Sequence, residues 1–199
     1  MRRALWIFLI AVLVLGGCGY MNIKGTQNTL VELEEQVEAQ WADVQNEYQS
    51  RADLVPNLVS TVKGAADFEQ ETLTDISEAR AKVGQMTVSK EVLEDPQAFQ
   101  RFQQAQSQLG GALSRLLSVA EKYPQLQASQ GFLTLQDQLE GIENRISNER
   151  MRFNEAARKY NTHVKKFPQS IYANMLGFDE KVYFEADQGA QNAPTVNFD

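Results

Sequence analysis

Residues 132 to 167 read FLTLQDQLEGIENRISNERMRFNEAARKYNTHVKKF, and this stretch decides the fold. Side chains spaced alternately by three and four residues form a single stripe, and nine of the eleven are apolar: Phe132, Leu135, Leu139, Ile142, Ile146, Glu149, Phe153, Ala156, Tyr160, His163 and Phe167. Such a sustained period is typical of a long helix that packs at a shallow angle against its neighbours. Lys165 and Lys166 suit the negative end of this helix, and Pro168 ends it.

Two helices are predicted in the first part of the chain. Thr29 and Glu32 form a capping box that starts a helix over residues 29–49. A second helix over residues 53–84 begins at the cap residue Asp53, with Pro56 in its first turn, and stops at a glycine. The turn between them is the weakest boundary, because the apolar phase continues almost unbroken to Val55. A single kinked helix is the alternative there.

A third helix is predicted from Asp95 and Pro96, an N-cap followed by a proline at the first helical position, to Tyr123 before the next proline. Together these patterns predict an all-α fold. Its architecture is an antiparallel up-down four-helix bundle with long helices over residues 29–186, followed by an extended tail over residues 187–199.

The composition limits the chemistry of the chain. Its 199 residues are 43% hydrophobic and 23% charged, the balance of one globular domain, and the net charge of −7 argues against a nucleic-acid partner. One Cys and one His cannot supply an intrachain disulfide or the usual structural zinc site. They cannot supply the two Glu-x-x-His pairs of a di-iron bundle either. We therefore predict no metal and no cofactor.

The N-terminus has the pattern of a membrane-targeting segment. Arg2 and Arg3 precede twelve apolar residues, Ala4–Leu15, the size of a secretory signal. The following Leu-Gly-Gly-Cys resembles a bacterial lipobox. Residues 1–17 would then be a cleaved signal peptide, and the Cys18 thiol would carry a diacylglyceryl group.

An uncleaved signal anchor is the alternative. The segment Ala4–Met21 has 18 residues and spans about 27 Å as a helix, close to the thickness of a bilayer core. In both cases residues 18–28 form a tether. Because the two arginines precede the apolar run, the body of the protein is expected outside the cytoplasm, attached to the membrane through lipid or helix.

Four charged residues are predicted to form a structural polar core: Glu69, Arg80, Glu149 and Arg150. Counted from the helix ends, the two carboxylates lie at a similar depth, and two unpaired buried carboxylates repel each other. Arg150 offers a partner, so one hypothesis is an ion pair of Glu69 with Arg150 that fixes helix register. The alternative is a set of solvated charges at the edge of the stripe.

The segment after the fourth helix, residues 167–184, is rich in apolar side chains: Ile171, Tyr172, Met175, Leu176, Phe178, Val182, Tyr183 and Phe184. Four alternating helices return this segment to the anchor, where aromatic residues prefer the membrane surface. A flap that closes the open end of the bundle is the alternative, and general packing favours it.

Long motifs occur along almost the whole chain after the anchor: Trp41-x-x-Val44-Gln45-Asn46-x-Tyr48-Gln49, Arg51-Ala52-Asp53-Leu54-Val55-Pro56-Asn57-Leu58-Val59, Val62-Lys63-Gly64, the run from Gly111-Ala112-Leu113 to Tyr123-Pro124, Phe132-Leu133-x-Leu135-Gln136-x-Gln138-Leu139-Glu140-Gly141-x-Glu143-Asn144-Arg145-Ile146, and Ala193-Pro194-x-Val196-x-Phe198. These motifs resemble the LemA family. The resemblance implies a bacterial, membrane-anchored helical bundle that faces away from the cytoplasm and has no established enzymatic activity. Ser50, Ala65 and Phe68 depart from the family pattern.

Three functions are compatible with the sequence. We prefer a membrane-tethered, non-catalytic scaffold of the bacterial envelope that docks a protein partner or assembles with itself. The second is an accessory subunit of an envelope protease or transporter. The third is a cryptic hydrolase that depends on His163, although no Gly-x-Ser-x-Gly motif is present and the helix stripe favours a packed histidine.

Overall fold

The computed structural model describes residues 2–63, 70–86 and 90–185. Its elements in chain order are α1 (Arg2–Lys63), α2 (Gln70–Gln85), a 3-10 turn (Lys90–Leu93), α3 (Pro96–Ala120), α4 (Pro124–Gln127), α5 (Gln130–Lys165) and α6 (Gln169–Leu176). The described residues contain no strand, and the predicted all-α class is confirmed. The predicted tail over residues 187–199 lies outside the described residues.

Helix α1 is one continuous helix, which corrects two predicted boundaries. Thr29 does not cap a helix, because its hydroxyl donates to the Gly25 carbonyl oxygen (3.0 Å) one turn earlier inside α1. The predicted turn after residue 49 is also wrong, and the alternative of a single helix is right at that point. The predicted 53–84 helix is therefore divided, since its residues up to Lys63 belong to α1 and α2 begins at Gln70.

Pro56 lies inside α1 because its missing hydrogen bond is replaced from another helix. A proline has no N–H to donate to the carbonyl four residues earlier, which is that of Ala52. The Arg80 Nε of α2 donates to this carbonyl oxygen at 3.0 Å. A guanidinium from α2 therefore satisfies the acceptor that Pro56 leaves open.

Helices α1 and α5 run antiparallel over most of their shared length. Arg51 Nη1 pairs with Glu143 Oε1 at 2.9 Å, and one turn earlier on α1, Glu47 Oε2 pairs with Arg145 Nε at 2.9 Å. Residue numbers thus fall along one helix as they rise along the other. This register determines which end of α5 lies near the N-terminal part of α1.

Helices α2 and α3 are also antiparallel to each other. Asp75 pairs with Arg115 at 3.1 Å, and Lys82 Nζ donates to the Gln108 side chain at 3.4 Å. Both helices are much shorter than α5, with 16 and 25 residues against 36. They therefore leave the N-terminal end of the α1–α5 pair for another segment to cover.

The apolar core has two parts. The first surrounds Trp41, whose ring lies 5.1 Å from Phe102, 5.7 Å from Phe153 and 6.1 Å from Phe184 between ring centroids. The second lies toward the end of α1 and joins α1, α2, α3 and α5 through buried aliphatic side chains: Val55, Leu58, Val62, Leu73, Ile76, Leu109, Leu113, Leu116 and Leu139. Each part of the core thus joins helices that are distant in sequence.

The predicted starts of the third and fourth helices agree with the structure. The Asp95 carboxylate accepts a hydrogen bond from the Gln97 N–H at 2.8 Å and caps α3. The Ser129 hydroxyl accepts from the Phe132 N–H at 3.5 Å at the start of α5, which ends at Lys165 as its charge pattern indicates. Local signals were sufficient for these two helices.

The N-terminal part of α1 is helical from Arg2 onward, so the predicted tether over residues 18–28 belongs to the same helix as the bundle residues. No helix within the described ranges has a segment long and apolar enough to cross a membrane. Lipidation of Cys18 stays a prediction.

Candidate interaction site at the N-terminal end of the bundle

A segment that we call the strap, residues 178–185, runs along α5 and covers the Trp41 cluster beside the start of α3. It follows α6, whose last turn is closed by Gly177 in the left-handed conformation (φ 79°). A glycine adopts this conformation without the steric cost of a Cβ atom. The chain can thus reverse sharply after α6 and run back along α5.

Two asparagines of α5 hold the strap by its backbone. Asn161 Nδ2 donates to the Lys181 carbonyl oxygen (2.7 Å), and the Lys181 N–H donates to Asn161 Oδ1 (2.8 Å). Asn154 makes the same pair of bonds with the backbone of Phe184, both at 2.9 Å. Each amide uses its donor and its acceptor at once, which fixes its orientation.

The spacing of the two asparagines explains why both pairs of hydrogen bonds can form. Seven residues separate Asn154 from Asn161, a rise of about 10.5 Å along a helix. Three residues separate Lys181 from Phe184, and only a nearly extended chain covers about 10 Å with three residues. The strap is therefore extended and held in one register on α5.

Lys181 fastens the strap to the rest of the bundle. Its buried Nζ pairs with Glu34 of α1 at 2.7 Å and with Glu94, which precedes α3, at 2.9 Å, and it lies 5.5 Å from the centre of the Tyr160 ring. Burial lowers the pKa of Lys181, but the hydrogen bonds to the two carboxylates outweigh it, so that the pKa is raised overall. The strap therefore carries a fixed positive charge that joins three segments.

The strap confirms the flap interpretation for part of the C-terminal segment. Phe184 is buried in the Trp41 cluster, 4.9 Å from the Phe99 ring centroid and 5.4 Å from that of Phe153. Before the strap, α6 buries Ala173 on its inner side and leaves large apolar side chains exposed on its outer side. The two parts of the segment thus have different environments.

Replacing Asn161 with alanine should loosen the attachment of the strap to α5 around Lys181. The change removes two buried hydrogen bonds and leaves the Lys181 N–H and carbonyl without these partners, so we expect a loss of about 1–3 kcal/mol in unfolding free energy. We also expect faster proteolytic cleavage within the strap. The exposed Asn148 of α5 provides the matched control. Equal cleavage rates for Asn148→Ala and Asn161→Ala would contradict the claim that the Asn161 hydrogen bonds hold the strap.

Tyr160, buried beneath Lys181, predicts an alkaline loss of stability. Burial raises the pKa of Tyr160 from 10.0 to about 12, so between these pH values the unfolded chain releases a proton that the folded protein keeps. Stability should therefore fall as pH rises from 10 to 12. Its hydroxyl has no hydrogen-bond partner, so Tyr160→Phe should alter stability little at pH 7.

Thermal melting of both proteins at pH 7 and at stepwise higher pH checks this expectation. Above pH 10 the melting temperature of Tyr160→Phe should fall less steeply than that of the unchanged protein. The raised pKa of Lys181 adds a loss above its ordinary value of 10.5 in both proteins. Because Tyr160 is one cause of that rise, this loss should also be smaller in Tyr160→Phe, in the same direction as the loss from the phenol. Parallel curves would contradict the role assigned to Tyr160.

The predicted polar-core residues have separate contacts. Arg150 Nη2 donates to the Glu185 carbonyl oxygen (3.0 Å) and its guanidinium lies 4.8 Å from the Phe184 ring, so it supports the end of the strap. Glu149 pairs with Arg152 at 2.8 Å. Arg80 donates to the backbone of α1 beside Pro56, as described above. Glu69 lies outside the described residues, so its ion pair with Arg150 stays a prediction.

Arg51 is the central polar residue that the sequence did not single out. It is 4% exposed, and besides its ion pair with Glu143 its Nη2 donates to the Gln106 carbonyl oxygen (2.9 Å) and to Gln106 Oε1 (2.7 Å). One guanidinium thereby joins α1, α3 and α5. The signal was present, since Arg51 continues the three-and-four spacing of Val44, Tyr48 and Val55.

Two kinds of chemical site, a metal centre and a catalytic triad based on His163, can be compared with the described geometry. Within the described ranges, no group of three or more His, Cys, Asp and Glu side chains is placed to hold a metal ion. His163 is half-buried near the end of α5, and its Nε2 makes no hydrogen bond. The general base of a triad needs its nucleophile within hydrogen-bond reach, and this geometry does not supply one at Nε2.

Comparison with known proteins gives a consistent result. The model of the LemA family matches residues 40–198. Magnetosome protein MamQ 2 of Paramagnetospirillum magneticum is 27% identical over 185 residues, which cover 85% of this chain and 68% of the relative. MamQ of Magnetospirillum gryphiswaldense is 26% identical with the same coverage, and Protein LemA of Metamycoplasma hominis is 22% identical over 92% of this chain and 80% of the relative.

Proposed function

The chain belongs to the LemA family, and on that premise we propose that it is a membrane-anchored, non-catalytic scaffold or interaction protein of the bacterial cell envelope. Its similarity to magnetosome proteins and to a LemA protein supports a membrane-associated role. In this proposal the bundle faces away from the cytoplasm. In the proposed up-down four-helix arrangement, the four members are α1, α2, α3 and α5.

The continuous helix α1 carries the proposal. Its 62 residues rise about 93 Å, and the same helix contains the apolar run Ala4–Leu15 and the core residues around Trp41. A flexible linker lets a domain rotate freely, whereas a helix fixes its direction. With the uncleaved helical anchor, the bundle would thus be held at a set orientation to the membrane, as suits a scaffold. With lipid on Cys18, the same helix would run unbroken from the lipidated residue into the bundle.

The anchor is either acyl chains on Cys18 or an uncleaved apolar helix. Intact-mass measurement of the membrane-extracted protein distinguishes them, because a lipidated chain lacks residues 1–17 and carries added acyl mass. Cys18→Ser is the control, since it removes the thiol that accepts lipid. An unprocessed N-terminus would favour the helical anchor, and release of the protein by washing membranes would contradict both.

The interaction role is tested by crosslinking in the native membrane. A photoreactive residue at Met151, which is 61% exposed on α5, should yield one discrete adduct containing either a second copy or one partner. Adducts that remain diffuse at this and neighbouring exposed positions of α5 would contradict a scaffold. Stoichiometric copurification with one integral membrane protein would instead favour the accessory-subunit alternative.

The cryptic hydrolase is tested through its one histidine. If His163 were catalytic, His163→Ala would abolish the cellular phenotype of the protein while the fold remained intact by circular dichroism. We expect the variant to keep the phenotype, because His163 lies at the end of α5 with an unpartnered Nε2.

A further inference from the structure

We propose that the outer face of α6 lies on the bilayer surface, so that the domain touches the membrane at a second point beside its anchor. The inference rests on the proposed membrane anchoring. In this proposal, the outer face of α6 contacts the boundary between phospholipid headgroups and acyl chains, mainly through apolar side chains.

The face itself is unusually apolar for an exposed surface. Within α6, Ile171 and Met175 are 57% and 62% exposed and lie one turn apart on the same side. Phe167, which precedes α6, is 79% exposed. The opposite side packs on the bundle through Ala173, which is fully buried. A helix that packs one face on its domain and presents large apolar residues on the other is typical of an interfacial segment.

The position of α6 points to the membrane as the occupant. The register of the α1–α5 ion pairs, extended along both helices, places Lys165 opposite about residue 28 of α1. The next element, α6, packs against both α1 and α5 at this end. The apolar segment that ends at Met21 lies about seven residues, or about 10 Å, farther along the same helix.

The charges around α6 argue for an apolar contact in place of an electrostatic one. Lys165 pairs with Glu180 at 2.6 Å, so its charge is balanced. The neighbouring Lys166 is exposed, and Asp179 brings one opposite charge to the same segment. Strong attraction to anionic lipid needs a cluster of Lys and Arg, and in residues 165–180 the two lysines are matched by Asp179 and Glu180. A zwitterionic phosphatidylcholine bilayer should therefore be sufficient.

Bromolipid quenching tests the contact on the full-length protein. We would introduce Ile171→Trp together with Trp6→Phe, which removes the tryptophan of the apolar N-terminal run while Trp41 stays buried in the core. In vesicles of phosphatidylcholine brominated near the top of the acyl chains, this variant should lose roughly twofold more fluorescence than the matched control. The control is Met151→Trp with Trp6→Phe, which puts the probe at an equally exposed position on α5.

The outcomes separate the possible occupants. Equal quenching of the two variants would overturn the proposal. A blue shift of the Ile171→Trp emission without bromolipid quenching would also overturn it, because a second copy or another protein would then cover the face. Vesicle flotation is measured in parallel: failure to float counts against the proposed anchoring, whereas flotation without quenching counts against the α6 contact alone.

Should Ile171→Trp disturb the fold, Met175→Trp in the same Trp6→Phe background provides a second probe on the same face. Circular dichroism and the melting temperature establish that each variant is folded. Quenching at either position with an intact fold supports the contact, and absence of quenching at both overturns it.

Discussion

Replacing Trp41 with alanine is expected to lower the free energy of unfolding by about 3–5 kcal/mol. The indole is buried among aromatic rings from α3, α5 and the strap, so its removal opens a cavity that no single element can fill. Urea denaturation of the two proteins measures the difference. A loss of less than about 1 kcal/mol would contradict the central position of this residue.

The matched comparison is Trp41→Phe. The Trp41 Nε1 is buried without a hydrogen-bond partner, so phenylalanine removes an unsatisfied donor while it keeps most of the ring contacts. We therefore expect a loss well below that of the alanine variant, about 1–2 kcal/mol. Trp41→Ala should in addition loosen the strap, because Phe184 loses a neighbouring ring.

The second large effect is expected at Arg51. Arg51→Ala removes the hydrogen bonds to Gln106 and the ion pair with Glu143, and it leaves a buried carbonyl without its partner. We expect a loss of about 2–4 kcal/mol, again by urea denaturation. Arg51→Lys should restore little, because an ammonium cannot reach both helices with a planar fork.

Arg145→Ala is the control for this prediction. Its ion pair with Glu47 has the same 2.9 Å length, but the Arg145 side chain is exposed to solvent, and such pairs contribute about 0–1 kcal/mol. Similar losses for Arg51→Ala and Arg145→Ala would show that burial and the Gln106 contacts have no special role.

Much of the fold could be predicted because its signals are local. The cap of Asp95 and the apolar stripe from Phe132 onward each lie within one helix, and the structure confirms α3 and α5. Pro56 misled the prediction for α1, since a proline usually marks a first turn. What satisfies the Ala52 carbonyl that Pro56 leaves open is Arg80, 28 residues from Ala52, and no local pattern reveals that contact.

The burial of the strap could be predicted from its sequence, but the hydrogen bonds that hold it could not. Its apolar residues indicated a flap, but Asn154 and Asn161 bind its backbone, which any sequence offers. In the sequence, only the seven-residue spacing of the two asparagines beside the apolar stripe can be recognised. The buried position of Arg51 was not predicted either. A charged residue that continues an apolar stripe is ordinarily assigned to the solvent-exposed edge of that stripe.

Because α1 is unbroken, a change in its angle at the N-terminal end displaces the opposite end of the domain. From Lys24 to Lys63 the helix rises about 60 Å. With the uncleaved helical anchor, a tilt of the membrane segment by about 20° would move the far end sideways by about 20 Å. Bilayer thickness and lipid packing, which govern such tilts, would then set where a bound partner sits above the membrane.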